Sequence, residues 1–180
     1  MSNFISVIKE RRSIRNFENK SIPEDFLNSV LESVRWAPSW ANTQCWEAVI
    51  VKNTDKKQKL QETIAPKNPA TKAIIAAPVI LAICGRLGIS GYYKDKAATK
   101  FGDWFMYDLG LATQNLCLTA HLLGLGTVIV GMFDHDRATA VLGVPDSYEM
   151  PILIPIGYPA KVSKTPKRKE ISDFVHYNSF

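Results

Sequence analysis

The chain reads as an α+β layer fold, a sheet of apolar strands flanked by helices. Three observations predict it: a continuous apolar run over residues 78–84 of strand length, a stretch over 103–123 that is apolar nearly all round, and an order of several helices, two strands, the long helix and two further strands. The length of 180 residues suits one core, because single cores stop growing only beyond about 250 residues. One domain over 1–180 is therefore expected.

Phe4, Ile5, Val7 and Ile8 fall at near-helical spacing and predict a short amphipathic helix that delivers Arg11 to Arg15 at its C-terminal end. Ser21-Ile22-Pro23-Glu24-Asp25 supplies an N-cap, a first-turn proline and acids that suit the helix dipole. It opens a helix to about Trp36 with Leu27, Val30, Leu31 and Val34 as the buried stripe. Residues 37–44 form a polar, proline-broken loop, and the β-branched run 46–51 a strand. A charged surface helix over 55–64 precedes a turn and a short helix within 66–76. The 78–84 run is a strand covered on both faces, ended by a loop over 85–91. Gly124 closes the long helix, a strand comes next over 127–130, 136–142 is helical up to Gly143, and 149–157 is a last core strand. The remainder, 160–180, is mostly polar, with Phe174, Val175 and Tyr177 as anchors for an arm that docks elsewhere.

With 46% hydrophobic and 22% charged residues the chain buries enough apolar surface to fold, and its net charge of +5 points to anionic ligands: phosphates, nucleotides or nucleic acid. The three cysteines, Cys45, Cys84 and Cys117, are odd in number and sit in apolar stretches. They argue against a disulfide framework or a zinc site and for a reducing cytoplasm. Lys9, Glu10, Arg11, Arg12 and Arg15 are unlike a secretory signal, so no export is implied. Asp108, Gln114, Asn115 and His121 interrupt the apolar stretch 104–133 and argue against a membrane span.

The sharpest feature is Arg11-Arg12-Ser13-Ile14-Arg15, three guanidinium groups and a hydroxyl at one helix exit. Arginine matches phosphate with two-pronged hydrogen bonds and stays charged at any relevant pH. Taken alone, the same residues serve equally as a solvated basic face or a nucleic-acid patch. A second basic cluster, Lys167-Arg168-Lys169, lies at the far end of the chain. One small anion would bring the two together, whereas duplex binding favours a longer basic stripe. The 38–44 loop offers amides and hydroxyls without titratable groups, which suits the edge of a heterocycle, or only a turn. The glycines of Gly124-Leu125-Gly126 end a helix and precede a strand, opposite to a dinucleotide fingerprint, and no Walker sequence occurs. Asp134-His135-Asp136 lacks a further histidine at ligand spacing, so no metal is expected. His121, Cys84 and Cys117 read as packing residues. Basic groups for a phosphate, neutral groups for a ring and no acid-base machinery together suit an enzyme whose chemistry resides in a bound cofactor.

In this combination of segments the chain resembles the nitroreductase family of FMN enzymes. The matching segments are Arg11 to Phe17, Ala37-Pro38-Ser39 with Asn42-Thr43-Gln44 and Trp46, Asp108 with Asn115-Leu116, Gly124-Leu125-Gly126-Thr127, and Ile154-Pro155-Ile156-Gly157-Tyr158-Pro159. The resemblance implies a nitroreductase-like fold with a mixed, mostly antiparallel central sheet flanked by helices, and an intertwined homodimer with two shared FMN sites. The 160–180 arm would dock on the partner subunit. It implies that Arg11, Arg12, Ser13 and Arg15 hold FMN, Arg11 on the phosphate and Arg15 near the pyrimidine edge. Pro38, Ser39, Trp40 and Asn42 would come from the other copy, Val130, Gly131 and Met132 would face the flavin N5 edge, and Arg168 and Lys169 would close over the phosphate. Asn68 is a further candidate, and Lys167 has no assigned part. The family's paired glycines are replaced by Gly131-Met132, and no long lid insertion lies between Gly85 and Asp103. The implied activity is hydride transfer from NADH or NADPH to a nitroaromatic, quinone or similar small-molecule acceptor by a ping-pong cycle. Trp40 would offer a flat slot, joined by Phe101 or Trp104, although core packing is the preferred reading of those two. Enone reduction, reductive dehalogenation, and a non-catalytic flavin- or nucleic-acid-binding module stay open as alternatives. The preferred reading has no nucleic acid or membrane as partner.

Overall fold

The computed structural model describes residues 4–180; residues 1–3, the start of the predicted domain, lie outside the described residues. Its helices are α1 (Phe4–Glu10), α2 (Glu24–Arg35), α3 (Thr54–Gln61), α4 (Thr71–Ala76), α5 (Phe105–Leu122) and α6 (His135–Leu142). The strands are β1 (Trp46–Val51), β2 (Val79–Arg86), β3 (Tyr92–Tyr93), β4 (Lys96–Ala97), β5 (Gly126–Thr127) and β6 (Tyr148–Gly157). The main sheet has the order β1-β2-β6-β5 with every neighbouring pair antiparallel, and β3 and β4 form a separate hairpin.

The apolar run becomes β2 because it needs cover on two sides. Val79, Leu81 and Ile83, with Ile154 and Ile156 of β6, pack in one cluster with Leu27 and Val30 of α2 and Leu109 and Leu116 of α5. Ile80, Ala82 and Cys84 join the opposite cluster with Leu60 of α3, Ala73 and Ile74 of α4 and Ala138 of α6. Each fully buried Leu or Ile contributes about 1.5–3 kcal/mol, so β2 is anchored from both faces. This is the predicted α+β layering, with Asn53 capping α3 and Gly143 closing α6 in the left-handed conformation (φ 69°).

Four local expectations change. Pro23, not Ser21, occupies the N-cap position of α2. The strand expected to end at Cys84 runs on through Gly85 to Arg86, hydrogen-bonded along its side to Cys45. The expected loop after it carries the β3–β4 hairpin. The strand expected over 127–130 is only Gly126–Thr127, resuming as an isolated pairing of Val130 with Leu153. Val128 donates to the Pro155 carbonyl, and a proline has no N–H to return, so the ladder breaks there.

The segment after α1 runs along the sheet edge and fixes which way its side chains point. Ile14 is buried and donates its N–H to the Thr127 carbonyl at 2.8 Å, while Ser13 bridges Thr127 in parallel sense. A Cβ on Gly126 would lie 2.5 Å from Ile14 Cγ1 and 2.7 Å from its Cβ, so glycine is what lets this segment lie against the sheet edge. Gly126→Ala is therefore expected to lower stability by about 1–3 kcal/mol through overpacking, read as a lower midpoint in urea unfolding.

Candidate functional site

Arg11 donates its N–H to Val7 O at 3.1 Å as α1 ends, and the chain then runs extended along β5. Side chains alternate in extended backbone, so with Ile14 directed into the core, Ser13 and Arg15 are turned the other way. The chain's two distant basic segments meet there. Arg11, Arg12, Ser13 and Arg15 line one cleft of about 270 Å³ with Ser163, Lys164, Pro166 and Arg168. The Arg12 guanidinium donates to Thr165 Oγ1, to the Lys9 carbonyl at 2.5 Å and to the Arg11 carbonyl at 2.7 Å. Ser163 Oγ donates to the Ser13 carbonyl at 3.3 Å. Arg12 thus braces the tail, whereas Arg15 Nε is buried with no hydrogen-bond partner. Among the described residues no carboxylate lines the cleft, and apart from Pro166 its side chains are guanidinium, ammonium and hydroxyl groups, a donor set that matches a phosphate. Arg168 is among the lining residues; Lys167 and Lys169 are exposed outside that lining. Nothing in the sequence singles out Ser163, Lys164 and Thr165 as site residues, since only the folded tail brings them beside the arginines.

The 38–44 loop is built differently. It contains a 3-10 turn over Trp40–Asn42, and Ala41, Asn42 and Gln44 have φ of 45°, 57° and 47°. Left-handed backbone costs non-glycine residues roughly 1–2 kcal/mol each, so the loop needs outside support. Ser39 Oγ accepts from Gln44 N at 2.9 Å, and the Trp40 N–H donates to Asp108 of α5 at 3.0 and 3.2 Å to its two oxygens. Pro38, Ser39 and Trp40 line a second cleft, of about 300 Å³, with Trp104, Tyr107, Asp108 and Leu111. Asn42 is exposed nearby in the chain but outside that lining. The sequence marks Asp108 only as a charge inside an apolar helix and as part of a motif. Its isolation in an apolar run is the signal that points to this role.

In the third predicted segment, Val130 is buried and its N–H and C=O are both paired with Leu153, so Gly131 and Met132 are the exposed members. A Cβ on Gly131 would meet Pro151 O only at 3.6 Å, an ordinary contact. Packing within the chain does not demand glycine there, which leaves close approach by something outside it as a reason for a small residue. Asn68 Nδ2 donates to the Met132 carbonyl at 3.3 Å while its Oδ1 accepts from Ala70 N at 2.9 Å, which places Asn68 beside this segment. Within one chain the arginine cleft and the Trp40 cleft share no lining residue. Asp134, part of the acid–histidine cluster, is the N-cap of α6, accepting from Arg137 N at 3.0 Å.

Comparison with known proteins adds to this geometry. Residues 8–158 match the Nitroreductase family. An NADH dehydrogenase of Thermus thermophilus is 28% identical over 177 residues, covering 84% of this chain and 84% of the relative. Human iodotyrosine deiodinase 1 is 24% identical over 200 residues, covering 96% of this chain and 67% of its own length. An FMN-dependent nitroreductase of Clostridium difficile R20291 has the same fold, with a TM-score of 0.78 at 24% identity over 98% of this chain and 99% of its own.

The thiols take no part in either cleft as nucleophiles. Burial, then the charge of Asp108, pushes Cys45 from its ordinary 9.0 up to about 12; burial, then Glu47, pushes Cys84 up to about 11; burial also raises Cys117. The unfolded chain ionises these thiols first, so their contribution to stability is complete below pH 9.0 and is lost as pH climbs toward the raised values. At about pH 8 the native protein is expected to leave all its thiols unreacted with an aromatic disulfide reagent, and all three to react once it is unfolded in guanidinium. A melting temperature that fails to fall between pH 9.0 and about 11 would contradict the assignment.

Proposed function

This chain belongs to the nitroreductase family, and from that premise we propose that it is an FMN-dependent oxidoreductase that reduces a nitroaromatic, quinone or similar small acceptor at the expense of NADH or NADPH. The observation that carries this reading is the meeting of Arg11, Arg12, Ser13 and Arg15 with Lys164 and Arg168 in one cleft of hydrogen-bond donors. The residues present fit FMN: an orphaned, buried Arg15 Nε and a cluster of cations without a carboxylate both call for an anionic ligand.

Arg11, Ser13, Lys164 and Arg168 would bind the phosphate, with Arg12 holding the tail segment over it. Arg15 would set a positive charge beside the ring system, where it favours added negative charge. Bound there, FMN would supply a redox centre able to take a hydride from NAD(P)H and pass reducing equivalents to an acceptor. The 38–42 loop would come from a second copy, since its cleft is separate from the arginine cleft within one chain. Exposed apolar side chains support two copies: Phe4 and Ile8 on α1, Met106, Tyr107 and Leu122 on α5, and Ile171, Phe174 and Tyr177 on the last part of the 160–180 arm, which would dock on the partner while residues 163–168 stay against the chain's own arginines. Trp40 and Trp104 would keep water from a flat slot that nicotinamide and acceptor occupy in turn, the structural basis for a ping-pong cycle.

The likeness to iodotyrosine deiodinase favours reductive dehalogenation as a second reading, which an acceptor panel including halophenols would separate from nitro and quinone reduction. The purified protein is expected to be a yellow dimer that bleaches with NADH or NADPH and regains colour with the acceptor; colourless protein that ignores added FMN would overturn the reading. Arg11→Ala should raise the Kd for FMN by about 10–100-fold, measured by flavin fluorescence titration.

A further inference from the structure

Asp108 sits in the first turn of α5 and is 1% exposed. Burying a carboxylate is costly unless its oxygens are hydrogen-bonded. The salt bridges of the described residues join Arg35 to Glu32 and Lys52 to Glu24, so Asp108 is not held by a cation. Its oxygens accept instead from the Trp40 N–H at 3.0 and 3.2 Å, the Ser90 hydroxyl at 2.6 Å and the Cys45 thiol at 3.6 Å. These donors come from separate parts of the chain.

The connection continues beyond Ser90. Its backbone carbonyl accepts the Trp104 N–H at 3.0 Å, and Trp104 Nε1 donates to Thr99 Oγ1 at 2.8 Å. The Trp40 and Trp104 rings lie 5.1 Å apart at 43°. One carboxylate therefore fixes the backbone of Trp40 directly and that of Trp104 through a single intervening residue. Both indoles line the same cleft. The left-handed residues after Trp40 make its place unusually dependent on outside support.

We propose that Asp108 is a positioning residue for the reductive reaction: by holding the Trp40 amide and, through Ser90, the Trp104 backbone, it sets the spacing and tilt of the indole pair that walls the acceptor slot. This rests on the reading that the 38–42 loop borders the flavin. An apolar side chain of similar volume would leave the Trp40 N–H and the Ser90 hydroxyl without this acceptor, so the arrangement specifies direction as well as volume.

The test is Asp108→Asn in the full-length, FMN-loaded protein, with Trp40→Phe as the reference that removes the indole pair without touching the carboxylate. Two closely spaced indoles give an exciton couplet in far-ultraviolet circular dichroism that Trp40→Phe abolishes. D108N is expected to lose most of that couplet and to raise KM about tenfold for the acceptor and for NAD(P)H alike, since both occupy the same slot, with FMN affinity changed much less because the separate arginine cleft is untouched. An unchanged couplet in folded D108N overturns the proposal. So does a loss of couplet accompanied by an equal loss of FMN affinity, since that is general structural damage. If D108N does not fold, Ser90→Ala removes one donor and keeps the carboxylate. A part-way loss of the couplet then supports the proposal, and an unchanged one overturns it. Should the parent protein bind no flavin, the functional reading fails by itself, while the couplet still decides whether Asp108 positions the pair.

Discussion

The short contact between the Ser13–Ile14 backbone and the edge strand at Gly126–Thr127 is the constraint on which the rest of the site depends. One N–H to carbonyl bond of 2.8 Å and the missing Cβ of Gly126 hold the segment flush with the sheet. With Ile14 buried on one side, the neighbouring polar side chains are committed to the other. The local sequence thereby converts a helix exit into a row of cations with a fixed direction along the edge of the sheet.

Placing several like charges together is unfavourable in the free protein and favourable once an anion sits among them, so the cleft gives up folding stability for readiness to bind. The fold offsets part of that cost by giving Arg12 three oxygen partners of its own, two backbone carbonyls and the Thr165 hydroxyl. Arg12 accordingly serves the architecture of the cleft, and Arg15, with its orphaned Nε, is the member left most in need of a ligand. The Trp40 loop shows the same logic with different means: strained backbone is retained because Asp108 and Ser39 hold it from outside.

Much of the layering is legible in the sequence because it depends on periodicity. The two-sided apolar run becomes β2, the all-round apolar stretch becomes α5, and Gly143 closes α6 as its residue type suggests. What escapes a reading of the sequence depends on who faces whom. Pro155 is plain in the sequence, but that it opposes Val128 and breaks β5 is a fact of register. The basic character of the chain's two ends is readable, yet which tail residues reach the arginines, Lys164 and Thr165 as well as Arg168, needs the tertiary path. The left-handed conformations of Ala41 and Gln44 have no marker, since neither is glycine or asparagine, whereas Asn42 is of a type that favours that region. Asp108 carries a clear signal, a carboxylate in a helix whose other residues are mostly apolar.

One wall of the anion cleft is chain without regular secondary structure, fastened to the arginines by Arg12 on Thr165 and Ser163 on Ser13. If the cleft holds FMN as proposed, a strap of this kind would make release of the phosphate-bearing group a question of how often the strap lifts. Under the proposed reading affinity and residence time would be separately adjustable: the arginines would govern the first, and two hydroxyl-bearing residues of the tail, Ser163 and Thr165, the second.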